Sequence, residues 1–325
     1  MPIHLPNSAH LQNIEGFIRS YDPNGKTNGK NSLVVSGHSR YIHVHPFALA
    51  LAACAGAMAK HNSWTTSGVI PNVRSAPYLV RMKLFDHLDV PVPQTIEEHE
   101  ESGKFVPITQ IRTSEDLRNT IANLIPLLHA APAVADPIRY VISELGRNVL
   151  EHSQSPVGGF VCAQYFRNRK RIAIGMADAG IGIASAIRHS HKAASEALAM
   201  KLALTPGISG ATPRIGGNET NAGAGLFFIR SIAKVSGNFF LMYSGNTNYK
   251  LLRKQQSRNL LFSDPTREDH RMNTDLPTWQ GTAIGIDINV DETAEFSSLI
   301  RLISKSYSID VRVRKKQYFK KIQFT

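Results

Sequence analysis

The sequence predicts an α/β protein in which a small N-terminal α/β module precedes a larger α/β unit. Strand-like and helix-like patterns alternate between residues 32 and 85, and such alternation is typical of a parallel α/β unit. Further along, an amphipathic helix pattern near residues 138–152 is followed by two strand patterns joined by a short basic turn. With 325 residues, the chain is long enough for two domains that each bury a core.

Composition and charge restrict the class of protein. Hydrophobic residues make up 42% of the chain and charged residues 19%, which is typical of a globular protein. The formal net charge of +12 favours an anionic partner such as a nucleotide, a nucleic acid or an acidic protein surface. No secretory signal is visible, and the most apolar run, residues 47–59, is shorter than the ~20 residues that span a bilayer. Cys54 and Cys162 are too few for a disulfide framework, so we expect a cytoplasmic protein without membrane contact.

The N-terminal module is predicted from short segments taken in order. Residues 1–30 are rich in Pro, Gly and Asn and are predicted to be an irregular segment, with room only for a short helix or strand near residues 11–18. The next predicted elements are a strand at 32–36, a helix at 47–61, a strand at 64–70 and a helix at 76–85. His38, His43 and His45 precede the first helix, but no Cys or carboxylate lies close by to complete a metal site. Capping or loop histidines are therefore favoured over a metal site there.

The same N-terminal segments carry a resemblance. The strand at 33–36, the helix entry His45-Pro46-Phe47 and the later residues 78–82 resemble the STAS-like modules that pair with bacterial regulatory kinases. We assign residues 31–105 to this small α/β module. Phosphorylatable STAS-like modules place Ser or Thr at the helix start, where this chain has His43-Val44-His45-Pro46. The resemblance therefore implies that no phosphate is received at that position.

A change in composition separates the two units. Val90-Pro91-Val92-Pro93 and an acidic run at 97–103 indicate a linker or exposed loop, which places the boundary between residues 91 and 112. Thr113 and the acidic residues after it predict the start of a helix that runs to about residue 125. We assign residues 112–295 to the second unit and residues 296–325 to a basic C-terminal tail.

The helix near residues 138–152 carries a polar stripe. Glu144, Asn148 and His152 are spaced i, i+4 and i+8, which places them on nearly one face, while the opposite face is apolar. A carboxylate one turn before a carboxamide can hold a metal ion and a water molecule. An ordinary solvated helix face is the alternative, and other segments must decide between the two.

Three later segments supply glycines at places where a ligand can approach the backbone. Asp178 leaves a predicted strand and is followed by Gly180 and Gly182, a pattern that fits either a ligand-binding loop or an ordinary Asp-Gly turn. A carboxylate at a strand end can accept a hydrogen bond from an exocyclic amine. Gly223, Gly225 and Leu226 open an apolar helix whose N-terminal amides suit phosphate.

Between the glycine segments lies a long stretch of small and basic residues. Residues 183–222 contain a helical pattern near 193–204 and a glycine-rich end, which is the composition of a lid. The chain then returns to a predicted strand at 239–244 and to another at 281–288, where Gly281 and Thr282 stand at the start.

Taken in this order and spacing, the polar helix and the glycine segments resemble the GHKL ATPase superfamily, the group of DNA gyrase, the large heat-shock chaperones and histidine kinases. The resemblance covers about residues 112–290 and implies the Bergerat ATP-binding fold, a two-layer α/β sandwich. It implies ATP and Mg²⁺ as cofactors, with Asn148 as a Mg²⁺ ligand and Glu144 as general base. The resemblance further implies that Asp178 receives the adenine amino group, Gly180 and Gly182 shape the adenine pocket, Gly223, Gly225 and Leu226 form the phosphate loop, and Thr282 supports the adenine end.

Chain organisation narrows the choice within this superfamily. The chain has no long helix with a phosphoacceptor His before the ATPase region, and only some 35 residues follow Val290. The nearest relatives are the anti-sigma-factor Ser/Thr kinases, although the predicted lid is longer than theirs. The expected function is therefore an ATP-binding regulator that acts as a conformational switch or phosphorylates a partner protein. A homodimer is left open.

The basic tail provides an alternative function. Residues 312–321 interleave Lys and Arg with Tyr318 and Phe319, a pattern that suits nucleic-acid binding. A solvated tail or a segment that docks on a protein partner is favoured over nucleic acid on the sequence alone. An ATP-dependent regulator associated with DNA is the corresponding second hypothesis.

Overall fold

A computed structural model describes residues 1–21, 31–92, 105–128, 132–216, 223–253, 260–289 and 296–322. The predicted acidic linker at 97–103 and the residues 217–222 of the predicted lid lie outside these ranges. Within the described part, helices and strands are mixed, as the sequence predicted, and no helix is both long and apolar enough to cross a membrane.

The N-terminal module contains a small parallel sheet. Its elements are β1 (Pro2–Leu5), β2 (Ser8–Ala9), α1 (Glu15–Ser20), β3 (Ser32–Gly37), β4 (His43–Val44), α2 (Pro46–His61), β5 (Thr65–Val69), α3 (Ala76–Arg81) and α4 (Leu84–Leu88). The three-stranded sheet has the order β1-β3-β5, and both pairings are parallel, as expected. The short strands β2 and β4 form a separate parallel pair.

Two predictions for this module are wrong in detail. The N-terminal segment is not irregular throughout, because β1 pairs with β3 and buries Ile3 and Leu5. The nearby prolines and the short length of this strand concealed the alternation from sequence reasoning. The single helix expected at 76–85 is two helices, since Lys83 has a left-handed backbone (φ +59°) that ends one helix before the other begins.

The larger unit is built on a seven-stranded antiparallel sheet. Its elements are β6 (Phe105–Ile111), α5 (Ser114–Leu128), α6 (Pro132–Asn148), a π-helical turn (Val149–Ser153), β7 (Gly159–Phe166), β8 (Arg171–Asp178), α7 (Gly182–Arg188), α8 (Glu196–Ala203), α9 (Gly225–Val235), β9 (Phe240–Gly245), β10 (Thr247–Leu251), β11 (His270–Asn273), β12 (Trp279–Asn289) and α10 (Phe296–Ile322). The strand order is β11-β10-β9-β12-β8-β7-β6. The hairpin of β7 and β8 is the one predicted, whereas β6, β10 and β11 were not predicted.

Both faces of the large sheet are buried. Alternate side chains of β7 show this, because Phe160 and Cys162 join one hydrophobic cluster while Val161 and Ala163 join the other. Helices α6, α7, α8 and α9 belong to one face, and α2 of the N-terminal module packs against β7, β8 and β12 on the other. The sheet therefore has helices on both faces. The N-terminal module supplies the helical layer on the face opposite to α6, α7, α8 and α9.

Helix α2 is buried almost all round because it is shared by both units. Its residues from Pro46 to Gly56 are buried, which suits its uniformly apolar sequence. A Cβ atom built on Gly175 of β8 would lie only 2.1 Å from the carbonyl carbon of Pro46. The glycine thus allows the first turn of α2 to touch the sheet.

The C-terminal segment is a helix, which corrects the prediction of a basic tail. Helix α10 is 27 residues long and packs against α6 and α9. Ile303 and Val311 are buried, whereas basic residues such as Arg312 and Lys316 are exposed. Its apolar positions follow the helical period, so the first part of the segment contributes to the core.

Candidate functional site

A cavity of about 700 Å³ lies between the helical layer and the sheet. Eight of the nine site residues predicted from the sequence line it: Glu144, Asn148, Asp178, Gly182, Gly223, Gly225, Leu226 and Thr282. They come from α6, from the end of β8 with the start of α7, from the residues around the start of α9, and from β12, four segments that are far apart in the chain. The fold therefore brings these predicted residues together around one space.

Helix α6 presents its polar residues to this cavity because its other face is buried. Ile138, Val141, Ile142 and Leu145 pack in the core as the helical pattern predicts. The helix continues into the π-helical turn and stops at Gln154, whose backbone is left-handed (φ +54°). His152 lies in this turn and also lines the cavity. The prediction that it shares one face with Glu144 assumed an α-helical period, which a π-helical turn does not keep.

Gly180 is the predicted site residue that does not line the cavity, and it allows a close contact behind the cavity wall. A Cβ atom on Gly180 would lie 1.9 Å from the carbonyl oxygen of Ser153. That same oxygen accepts a hydrogen bond from the amide of Ile181 at 2.8 Å. The glycine therefore lets the loop after β8 hydrogen-bond to the end of the π-helical turn.

Asp178 is a buried carboxyl group that has no cationic partner among the described residues. Only 6% of Asp178 is exposed, and its Oδ1 accepts a hydrogen bond of 2.9 Å from the amide of Gly180. Burial raises the pKa of this carboxyl to about 7, although hydrogen bonds from the backbone of Gly180 and Thr282 act in the opposite direction. Met176 and Ile284 form apolar wall nearby. Asp178 is therefore a buried hydrogen-bond acceptor beside apolar side chains.

Ser244 holds the Asp178 end of the cavity in place, and no sequence pattern predicted this role. Its hydroxyl donates to the carbonyl oxygen of Gly281 at 2.6 Å and accepts from the amide of Ile183 at 2.9 Å. Ser244 therefore connects β9, the start of β12 and the first residues of α7. The cross-strand pairing of Thr282 with Asp178 completes this connection.

The side chain of Glu144 extends from α6 to the start of α9. Its side chain is 17% exposed and forms an ion pair with the half-exposed Arg147. Burial raises the pKa of Glu144 above its usual value, while the neighbouring Arg147 acts to lower it. A Cβ atom on Gly225 would lie 2.7 Å from Oε2 of Glu144, so the glycine leaves room for this carboxylate. Arg147 also lines the cavity and was not among the predicted site residues.

The start of α9 offers backbone amides to the cavity. Gly223 has a positive φ of +64°, and its carbonyl oxygen accepts a hydrogen bond of 3.0 Å from the amide of Gly207. Helix α9 begins at Gly225, and no side chain caps its N-terminus. Backbone N–H groups at an uncapped helix start favour anions, and the absence of side chains on the two glycines gives an anion access.

The described part of the predicted lid forms a wall of the cavity. Ile208, Ser209 and Gly210 line it, together with residues of α7. Two contacts tie this wall to the residues just after α7: Ser190 Oγ donates to Gly210 O at 2.7 Å, and His191 Nε2 donates to Ser209 O at 2.9 Å. The segment is therefore anchored at this point.

The described side chains alone do not build a metal site. The described residues contain no group of three or more His, Cys, Asp or Glu side chains that could hold a metal. Glu144 and Asn148 of α6 and Glu151 of the π-helical turn offer carboxylate and carboxamide oxygen atoms on this side of the cavity. Such a site suits Mg²⁺ only if phosphate oxygens and water complete its coordination.

No protein-family model matches the chain, and no curated protein matches it either. A functional assignment therefore depends on the residues around the cavity.

Proposed function

We propose that the cavity binds Mg²⁺ and ATP in the manner of the GHKL ATPases, and that the protein is an ATP-binding regulator with a Bergerat-type fold. The observation that carries this proposal is the convergence on one cavity of residues from four distant segments, each chosen from the sequence for a separate part of the nucleotide. The antiparallel sheet with α6 and α9 on one face supports it as well.

The Asp178 end of the cavity suits the adenine base. An exocyclic amine donates hydrogen bonds, and the buried Asp178 carboxylate can accept them. A charge-assisted hydrogen bond is stronger in such surroundings than in water. Met176 and Ile284 offer apolar contact to the faces of the base, and Thr282 borders the same end.

The α9 end suits the phosphates. Gly223, Gly225 and the uncapped amides of α9 face the cavity and provide hydrogen-bond donors of the kind that bind phosphate. Arg147 adds a positive charge on the opposite wall. The side-chain oxygen of Asn148 would hold Mg²⁺, which when bound neutralises charge on the phosphate groups.

Glu144 is the candidate general base for transfer or hydrolysis. A carboxylate whose pKa is raised by burial is a better proton acceptor near neutral pH than an ordinary glutamate. Its position beside Gly225 places it near the proposed phosphate site. The ion pair with Arg147 has to weaken before Glu144 can take a proton from a water molecule or from a hydroxyl group of a partner protein.

Isothermal titration of Mg-ATP into the wild-type protein and Asp178→Asn tests the binding site. The variant should bind ATP about ten- to a hundredfold more weakly, because a charge-assisted hydrogen bond contributes about 1.5–3 kcal/mol. Asp275→Asn is a matched control, since Asp275 lies on the surface and its ion pair among the described residues is with Arg19. Failure of the wild-type protein to bind ATP, or equal weakening in both variants, would contradict the proposal.

Incubation with γ-labelled ATP, with and without cell lysate, distinguishes a switch from an enzyme. Transfer of label to a Ser or Thr of a protein identifies a kinase of the anti-sigma-factor type, and Glu144→Gln should abolish the transfer while retaining ATP binding. A switch instead shows no turnover, and its affinity for a regulatory partner changes with ATP.

A further inference from the structure

Helix α10 carries a large share of the positive charge of the protein. Its sequence contains eight Lys or Arg residues and one acidic residue, Asp310, in a chain whose formal net charge is +12. Most of the net charge of the protein is therefore concentrated on one helix.

Four of these basic residues form a stripe on the exposed face of α10. Arg301, Lys305, Arg312 and Lys316 are all exposed, and they are spaced i, i+4, i+11 and i+15. This spacing keeps them within one quarter of the helix circumference along about 22 Å of its length. Among the described residues, none of the four forms an ion pair. We call this set the basic stripe.

The opposite face of α10 is fixed to the helices that border the cavity. The ring of Tyr307 lies 5.8 Å from that of Phe228 and 6.2 Å from that of Phe227, two residues that follow Gly225 in α9. Phe228 is in turn 6.0 Å from Tyr140, which lies one helical turn before Glu144 and lines the cavity. An aromatic cluster thus connects α10 to both helices of the proposed phosphate site.

Helix α10 also touches the wall formed by the predicted lid. A Cβ atom on Gly207 would lie 2.9 Å from a methyl group of Val311, and one on Gly216 would lie 3.0 Å from the other. Gly207 is hydrogen-bonded to Gly216 and to Gly223. A change in the backbone around Gly223 would therefore alter the packing of Val311, which lies one residue before Arg312 of the basic stripe.

We infer that the basic stripe binds the phosphodiester backbone of a nucleic acid, and that a nucleotide in the cavity changes the affinity of this binding. The coupling to a nucleotide rests on the proposed function, whereas nucleic-acid binding by the basic stripe does not. A row of unpaired cations fits a polyanion, and four phosphate contacts would make the binding strongly dependent on salt. A second copy of the chain is a poor occupant of the same face, because two helices of like charge repel each other.

Fluorescence anisotropy of labelled DNA and RNA duplexes of the same sequence tests the surface with the full chain and no nucleotide. The plot of log affinity against log salt should have a slope of about −4 on DNA if all four residues contact phosphates. Arg312→Glu with Lys316→Glu should reduce the size of that slope by about two. Arg167→Glu with Lys170→Glu, on the exposed turn between β7 and β8, makes the same charge change away from α10 and is the matched control.

The outcomes of this test are distinct. The proposal that the basic stripe binds nucleic acid is overturned if neither duplex binds or if the two double variants weaken binding equally. It is also overturned if the stripe binds vesicles of phosphatidylglycerol or polyglutamate in preference to both duplexes. The relative affinity for the two duplexes shows whether DNA or RNA is the preferred source of phosphates.

Addition of Mg-ATP tests the coupling. ATP should change the duplex affinity by about fivefold or more, and the duplex should change the ATP affinity by the same factor, since coupling between two sites is reciprocal. Tyr307→Ala should abolish this factor while leaving nucleotide-free duplex binding in place. ATP that binds by calorimetry without altering duplex affinity overturns the coupling alone, whereas failure of ATP to bind removes the proposed function and leaves the surface to stand on the nucleotide-free result.

Discussion

Two buried aspartates in neighbouring strands of the large sheet have opposite surroundings. Asp287 in β12 is 3.3 Å from both Arg171 Nη1 and His45 Nε2, so each of its carboxyl oxygens has a partner. Asp178, at the end of β8, accepts hydrogen bonds from backbone amides and has no cation beside it in the described part of the chain. The first arrangement neutralises a charge within the protein, and the second leaves a carboxyl able to accept a ligand. The comparison suggests that burial alone does not identify a functional carboxylate.

The largest effect should come from removing the paired carboxylate. Asp287→Ala leaves Arg171 and His45 without their partner at the junction between α2 and the sheet. We expect the free energy of unfolding to fall by about 3–5 kcal/mol, the usual result of breaking a buried ion pair from one side. Urea denaturation measures this change, and a loss below about 1 kcal/mol would show that the pair is not structural.

Asp178→Asn should behave in the opposite way. No cation is left unpaired, so the free energy of unfolding should not fall, whereas ATP affinity should drop about ten- to a hundredfold. The combination of normal urea denaturation and weak calorimetric binding is the expected result. A variant that is destabilised as strongly as Asp287→Ala would place both aspartates in the same structural class.

The pH dependence of stability sharpens the same contrast. The pKa of Asp178 is about 7 in the folded protein and near 3.8 in the unfolded chain, so the folded state retains this proton to higher pH. The contribution of this carboxyl to stability is therefore present below pH 4 and is lost as the pH rises through about 7. The wild-type protein should lose up to about 1.4 kcal/mol per pH unit relative to Asp178→Asn between pH 5 and 7. Parallel stability curves for the two proteins would contradict the raised pKa.

Glu144 is intermediate between the two aspartates, because it is partly buried and its cationic partner Arg147 is half-exposed. Removing that partner should have the smallest effect on stability. Arg147→Ala removes a half-exposed partner, so the free energy of unfolding should change by less than about 1 kcal/mol. In the wild-type protein, Arg147 acts to lower the pKa of Glu144, so its removal should raise that pKa further. If the protein turns over ATP, the pH profile of the rate should move to higher pH. An unchanged profile would argue against Glu144 as the general base.

Sequence reasoning was most successful where a feature is local. The spacing of Glu144 and Asn148, the position of Asp178 at a strand end, and Gly225 at a helix start are all encoded within a few residues, and the fold places all of them at one cavity. Ser244 left no such trace, because its role depends on strands that meet only after folding. Strand β10 was missed for a related reason: Lys250 is buried there beside Glu15, which no hydrophobic pattern reveals.

Helix α2 joins the N-terminal module to the large sheet. Its first turn rests on the sheet at Gly175, the Cys162 thiol donates to the carbonyl oxygen of Pro46 at 3.3 Å, and His45 joins Asp287. Undocking this helix would expose a row of apolar side chains on both surfaces and leave a carboxylate without one of its partners. The N-terminal module is thus not a removable cover. A displacement of α2 would therefore act on the shared sheet, whose strand β8 ends at Asp178.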